Sequence, residues 1–299
     1  MKKIVTIGGA NGQSELLRYL RTYSDIELSA VVTMMDSGGS TGRLREEFGI
    51  LPPGDIRRVM AVLSEQEDLW DMWNTVGEDG HKIGNIIIRD AFLSHESAEA
   101  AIASLQKEYQ VIGNVLPVTI DNTHLHARYS NGDEVHSEGA ICEYKMRPQD
   151  QIEEIWLDPH AETTNAVREA ILDADAIVLS MGDVYTSLIP NLLVAGVTDA
   201  IAESSATVMY ICNRVARENE TVGFSSADMI ETVESYLGDA SIDIAFIDDS
   251  STPYPPDSAI IQYEQSEISI DELVGNFAHD EKPSLLSGKK LAATIIEHL

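Results

Sequence analysis

The stretch that most constrains this chain is Ile4 to Arg45, IVTIGGANGQSELLRYLRTYSDIELSAVVTMMDSGGSTGRLR. An apolar run, Ile4 to Ile7, meets a turn holding Gly8, Gly9 and Gly12 with Asn11 among them. Beyond it Leu16, Leu17 and Leu20 share one face at helical spacing. A second apolar run, Leu28 to Met35, stops at Asp36 and a second glycine-rich turn, Ser37-Gly38-Gly39-Ser40-Thr41-Gly42-Arg43. Strand, turn, helix, strand is the opening unit of a Rossmann-like, doubly wound α/β fold on a mainly parallel sheet. Glycine lets backbone N–H groups approach a ligand closely, and a helix N-terminus behind them favours an anion. Both turns follow strand carboxyl ends, so they face one crevice, where a phosphorylated ligand is expected.

The plainer alternative is that such turns only reverse the chain tightly. Counting back from Gly12, the dinucleotide fingerprint G-x-G-x-x-G finds its second glycine at Gly9 but Ile7 in place of the first, and no Gly-Lys-Ser/Thr follows to make a P-loop. The second turn says more, since it gathers Asp36, hydroxyls, glycines, Arg43 and Arg45.

Charge narrows the partners. With 50 acidic and 20 basic residues, the formal net charge is −30. That argues against nucleic acid and against an anionic membrane, and suits solubility. Among so few cations, Arg43, Arg45, Arg57 and Arg58 gather near the glycine turns, where they would neutralise a phosphate; solvated helix arginines are the alternative. No apolar run is long enough to cross a bilayer, and Met1-Lys2-Lys3 leads straight into a strand, which places the chain in the cytoplasm. Cys142 and Cys212 lie in apolar stretches and read as buried thiols rather than a disulfide or metal pair. No linker or repeat divides the chain, so 1–299 read as one domain.

Further along, Asp55 reads as the cap of a helix whose apolar face is Ile56, Val59, Met60 and Leu63. A short tryptophan-bearing helix spans Asp68 to Trp73. Gly80-His81-Lys82-Ile83-Gly84-Asn85 then precedes a helix from Ile86 to Leu93, where His81 and Asn85 either orient a substrate or serve structure. An amphipathic helix follows over Ser97 to Tyr109. Strands are expected over Val115–Thr119, His124–Tyr129, Glu134–Ile141 and Ile152–Leu157, with Asn131-Gly132 as a hairpin signal, so this part forms a small antiparallel insert or edge. His124, His126 and His136 read as surface or edge residues rather than metal ligands. A helix over Thr163–Ala174 leads to a buried strand, Asp175–Ser180, and a third polar turn with Asp183, Tyr185, Thr186 and Ser187. Thr207–Ile211 repeats the pattern and ends at Asn213. The next loop carries Arg214, Arg217, Glu220 and Thr221. A helix over Ser225–Leu237, a strand over Ile244–Ile247, a proline-rich loop over Ser250–Ser258 and a closing helix over Leu291–Leu299 complete the chain.

The opening GGANG turn, DSGGSTGRLREEFGILPPGDIRR, GHKIGN, YTSLIPNLLV and CNRV with Glu220-Thr221 together resemble the YvcK-like proteins. These are also called the gluconeogenesis factor or UPF0052 family, of the CofD-like superfamily. The likeness runs from Lys3 to about Asp249 and implies a CofD-like Rossmann-like fold with these loops around one cleft. The founding superfamily member is a transferase that moves a 2-phospholactyl group onto a deazaflavin with magnesium. The YvcK-like branch is instead linked to carbon metabolism and cell-shape or cell-wall control, and to binding UDP-sugars. The long SGGSTGRLR run favours that branch. Three departures bear on the ligand: Ala10 stands for a third glycine, Ser37 for a second aspartate, and Met181-Gly182-Asp183 for Gly-Pro-Gly-Ser after the buried strand. Leu285-Leu286-Ser287 replaces a basic, His-Asp-bearing segment near the end.

The resulting expectation is a cytoplasmic regulator that binds a UDP-sugar or related phosphorylated metabolite. Gly8, Gly9, Asn11 and Gly12 would hold the pyrophosphate through backbone contacts. Gly38, Gly39, Ser40 and Thr41 would add donors, and Arg43 would neutralise charge. Asn85, Thr186 and Ser187 join the site, with Tyr185 and Asn213 on the sugar or base side. The alternative is a transferase using Mg2+ at Asp36, with Asp183 as its partner. An NAD(P)-dependent dehydrogenase, with Asp36 on a ribose, is disfavoured by Ile7. A homo-oligomer is left open.

Overall fold

Apolar runs without alternation become inner strands of a parallel sheet, because helices cover both faces. In chain order the strands are β1 (Lys2–Gly8), β2 (Ile26–Val32), β3 (Asn114–Pro117), β4 (His124–Tyr129), β5 (Glu134–His136), β6 (Ile152–Asp158), β7 (Ala176–Leu179), β8 (Thr207–Ile211), β9 (Ile244–Asp248) and β10 (Asp271–Gly275). The computed structural model describes residues 1–147, 149–250 and 259–299. Seven strands form one sheet in the order β10-β9-β8-β7-β1-β2-β3, every neighbouring pair parallel. The last five residues of β1 and of β2, and all of β7, are buried. A second, antiparallel sheet of order β5-β4-β6 is the expected insert. Its central strand, β4, alternates buried and half-buried residues, as a sheet with one wet face should.

The helices are α1 (Ala10–Leu20), α2 (Gly39–Phe48), α3 (Pro53–Leu63), α4 (Leu69–Asn74), α5 (Ile83–Ser94), α6 (Ala98–Glu108), α7 (Glu138–Glu143), α8 (Asn165–Leu172), α9 (Ile189–Leu192), α10 (Val197–Glu203), α11 (Ser226–Ser235) and α12 (Gly288–Glu297). α1 buries Leu16, Leu17 and Leu20 and packs against α3 and α12. No helix among the described residues is long and apolar enough to cross a membrane.

Three local expectations are corrected, and one strand, β10, was not anticipated. The run Glu134–Ile141 is a strand only to His136, because Ser137 turns to φ 86° and its side chain accepts from the Ala140 N–H, starting α7. Asp55 does not cap its helix. Pro52 holds the cap position, the helix begins at Pro53, and Asp55 lies buried within its first turn. The second glycine turn is shorter than it reads, since α2 has begun by Gly39. β10, with the acidic sequence DELVG, has no apolar run and is fixed by pairing to β9. Of the expected proline-rich loop, residues 251–258 lie outside the described residues.

Ala10 opens α1 at φ 55°, in the left-handed region. A Cβ there crowds the following backbone, whereas glycine carries none. Ala10→Gly is therefore expected to stabilise the fold by about 1 kcal/mol. A urea titration should show a higher midpoint with unchanged slope; an equal or lower midpoint contradicts the strain.

Candidate functional site

β1 has β2 on one side and β7 on the other, so the chain winds away in both directions from this pair. Ligands of such sheets sit at that switch point, beyond the strand carboxyl ends. Three turns meet there, after β1, β2 and β7. In the first, a Cβ on Gly8 would lie 2.2 Å from Ser180 Oγ, and one on Gly12 only 1.9 Å from the Met181 carbonyl oxygen. A Cβ on Gly9 would meet Thr33 Cγ2 at 2.4 Å and Asp55 Oδ2 at 2.8 Å. These glycines are thus needed to seat the first turn against its own chain, and Asn11 stands exposed at the start of α1. The second turn is different. Gly39, at φ +47°, has nothing within 4 Å of its Cβ position, and Gly38 has only Asp36 Oδ1 at 3.5 Å. Gly54 in α3 admits Thr41 Oγ1 and Asp36 Oδ2 at 2.4 and 2.5 Å from its Cβ position, so α3 presses directly beneath the start of α2.

Carboxylates gather at this point. Asp36 Oδ1 accepts from the Gly38 N–H at 3.0 Å. Burial and the neighbouring Asp55 push the Asp36 carboxyl up, partly offset by the Gly38 N–H and Arg58. Asp55 is ion-paired with Arg58. Glu138, on α7, accepts from the Ser37 N–H at 3.0 Å and from the Cys142 thiol at 3.1 Å. Burial first, then Asp36, pushes Glu138 up to about 7. Sequence reasoning missed both Asp55 and Glu138 here. The PGDIRR run carried the first signal, read as a cap; Glu138 arrives from the insert, 101 positions beyond Ser37, with no local signal at all.

The four arginines divide. Arg43 is exposed and donates to the Gly80 carbonyl at 2.9 Å. Arg45 is buried and turns away to Asn122 Oδ1 and the Thr123 carbonyl. Arg57, fully buried, donates from Nη1 to Asn85 Oδ1 at 2.9 Å. Asn85 Nδ2 in turn donates to Ser40 Oγ at 3.0 Å, and Ser40 Oγ lies 3.0 Å from His81 Nδ1. The structure therefore does bring GHKIGN to the start of α2.

The third turn is held from within. Tyr185, Thr186 and Ser187 are buried in a π-helical turn, Val184–Leu188. Glu220 accepts from the Tyr185 N–H at 2.9 Å and from Thr186 Oγ1 at 2.5 Å. Asn213 Nδ2 donates to the Gly182 carbonyl at 2.5 Å, and its Oδ1 accepts from the Gly182 N–H at 3.4 Å. Asp183 is ion-paired with Arg217 rather than facing Asp36, whose charged neighbours are Asp55 and Arg58. On the insert, His126 and His136 approach each other at 2.5 Å and His126 stacks on Trp156. No group of three or more His, Cys, Asp or Glu among the described residues is placed to hold a metal ion. Cys212 is buried as expected, but Cys142 is exposed.

Glu220 gives a pH prediction. Burial, then Asp183, pushes it up to about 7 from an ordinary value of 4.5, so the folded chain holds a proton that the unfolded chain releases between those values. The folded state binds more protons across pH 4.5–7, so stability falls as pH rises through that window. Glu220→Gln keeps an acceptor for Thr186 and removes the titration. Its urea midpoint should fall less between pH 5 and 8 than that of the parent; an identical fall contradicts the assignment.

Known proteins resemble this chain over most of its length. The family model described as 2-phospho-L-lactate transferase CofD matches residues 4–283. The gluconeogenesis factor of Bacillus subtilis strain 168 is 36% identical over 264 residues, covering 84% of this chain and 80% of that protein. A relative from Nostoc sp. PCC 7120 is 37% identical over 272 residues, 89% of this chain; the chain spans 58% of that protein's length. A crystal structure of a UPF0052 family member from Bacillus halodurans superposes with a TM-score of 0.92 at 28% identity, covering 99% of this chain and all of the other.

Proposed function

This chain belongs to the CofD family and is a homologue of the gluconeogenesis factors, and from that premise we propose that its crevice binds a UDP-sugar or a related phosphorylated metabolite as a regulatory ligand. The role is control of carbon metabolism and of cell shape or cell wall, exercised in the cytoplasm. The observation that carries it is the meeting of two helix N-termini, α1 and α2, at the switch point of the sheet. Each offers up to four backbone N–H groups with no partner inside its helix, and each helix dipole favours negative charge there. Backbone groups around Gly8, Gly9, Asn11 and Gly12, and around Gly38, Gly39, Ser40 and Thr41, form the two walls, with Arg43 at the rim. Asn85 orients Ser40, whereas Tyr185, Thr186, Ser187 and Asn213 act through the shape of the third turn.

A magnesium site made of protein groups alone does not fit. Asp55 is engaged by Arg58, Asp183 by Arg217, and Asp36 retains one oxygen beyond its bond from Gly38. Magnesium asks for near-octahedral oxygen ligands, which these side chains alone do not supply.

Isothermal titration of the protein and of Arg43→Ala with UDP-glucose and UDP-N-acetylglucosamine tests the site. Losing a charge-assisted hydrogen bond should weaken binding by about 1.5–3 kcal/mol. An unchanged dissociation constant removes Arg43 from the site.

A further inference from the structure

Arg43, Lys82 and Arg57 form no ion pair among the described residues, and they gather around the start of α2. Arg43 donates only to the Gly80 carbonyl. Lys82, the cap residue of α5, has no hydrogen bond or ion pair among the described residues. Arg57, 1% exposed, uses Nη1 on Asn85 and keeps Nε and Nη2 buried without an acceptor. In a chain with 50 acidic and 20 basic residues, a cation has carboxylates in plenty to pair with. Arg168 has Glu203, Arg217 has Asp183 and Lys290 has Asp280. Unused N–H groups on a buried guanidinium are costly, so an acceptor is expected for them. Burial, then Arg57 and Arg58, also lower Lys82, partly offset by Asp36. Arg57 is tied to the helix start by the relay through Asn85 to Ser40, where His81 joins.

The start of α1 is arranged differently. Its glycines are filled by Ser180, Thr33 and Met181, and the carboxylate of Asp55 already lies beside Gly9, its cap residue. At the start of α2, by contrast, the Cβ position of Gly39 is open and that of Gly38 meets only Asp36 Oδ1 at 3.5 Å.

We infer that the phosphoryl groups of the ligand are held at the start of α2, by the free N–H groups of that helix, Ser40 and Lys82 with Arg57 behind them, and not at the first glycine turn. The inference rests on the proposed anion-binding crevice, but it does not depend on uridine or sugar. Inorganic pyrophosphate and UDP-glucose, titrated separately by calorimetry, test it with Lys82→Met, Ser40→Ala and Lys107→Met. The first two keep the buried Arg57 in place, so folding is not at stake; Lys107 is an exposed cation in the last turn of α6, outside the crevice. Lys82→Met should weaken pyrophosphate at least tenfold and Ser40→Ala severalfold, while Lys107→Met stays within twofold. Lys82→Met within twofold of the parent overturns the inference, and so does a tenfold loss in Lys107→Met. Pyrophosphate binding that needs Lys82, with no heat from UDP-glucose, supports the α2 subsite and rejects the UDP-sugar. UDP-glucose binding that ignores Lys82 does the reverse. Silence from both probes overturns both.

Discussion

Arg214→Met is expected to destabilise the protein by about 3–5 kcal/mol, the cost of leaving a buried charge without its partner. Arg214 is ion-paired with Asp248, and both side chains are 2% exposed. Asp248 closes β9, and its Oδ1 accepts from the backbone N–H groups of Phe277 and Ala278 at 2.7 and 2.8 Å. One carboxylate thus joins the sheet end, the loop after β8 and the segment that leads to α12. Removing the guanidinium leaves that carboxylate desolvated, with the two backbone N–H groups and the Ser250 hydroxyl to stabilise it. Adding Asp248→Asn removes the charge but keeps an acceptor for the two N–H groups. The double variant should therefore recover part of the loss, giving a clear coupling energy in a double-mutant cycle. A loss of under about 1 kcal/mol in Arg214→Met, within the range of exposed pairs, would show that the pair is solvated.

Gly12→Ala is expected to cost about 3 kcal/mol or more, at or above the upper end of ordinary overpacking. The added Cβ would meet the Met181 carbonyl oxygen at 1.9 Å and its carbon at 2.6 Å, and backbone cannot rotate away as a side chain can. Gly39→Ala supplies the contrast. There the Cβ position is open and only the φ of +47° is unfavourable, for a cost of about 1 kcal/mol. Urea midpoints of the two variants compare them directly. Equal losses would mean that the turns after β1 and β7 do not abut as described.

Much of the fold was legible because its signals are local. The near-continuous apolar runs of β1, β2, β7 and β8 announced buried parallel strands, and Leu16, Leu17 and Leu20 announced α1. Asn131-Gly132 announced the hairpin between β4 and β5. β10 was not legible, since its acidic sequence is a strand only by virtue of β9 beside it. The site was legible as a place rather than as a set of contacts. Glycine in a βα turn reads as room for a ligand, yet at Gly8, Gly9 and Gly12 the room is taken by Ser180, Thr33, Asp55 and Met181. Arginines near a glycine turn read as a phosphate clamp, but Arg45 points to Asn122 and Thr123, and Arg58 to Asp55. No spacing rule could have joined Glu138 to Ser37 or Glu220 to Thr186, because those contacts exist only once the insert and the loop after β8 have folded over the crevice.

Calorimetric titration of the intact protein with UDP-N-acetylglucosamine and UDP-glucose, against GTP and NAD, with and without magnesium, tests the ligand class most directly. Micromolar binding of a UDP-sugar that is indifferent to magnesium is the predicted result. Binding that requires magnesium and prefers GTP would contradict it and point to group transfer as the work of this crevice.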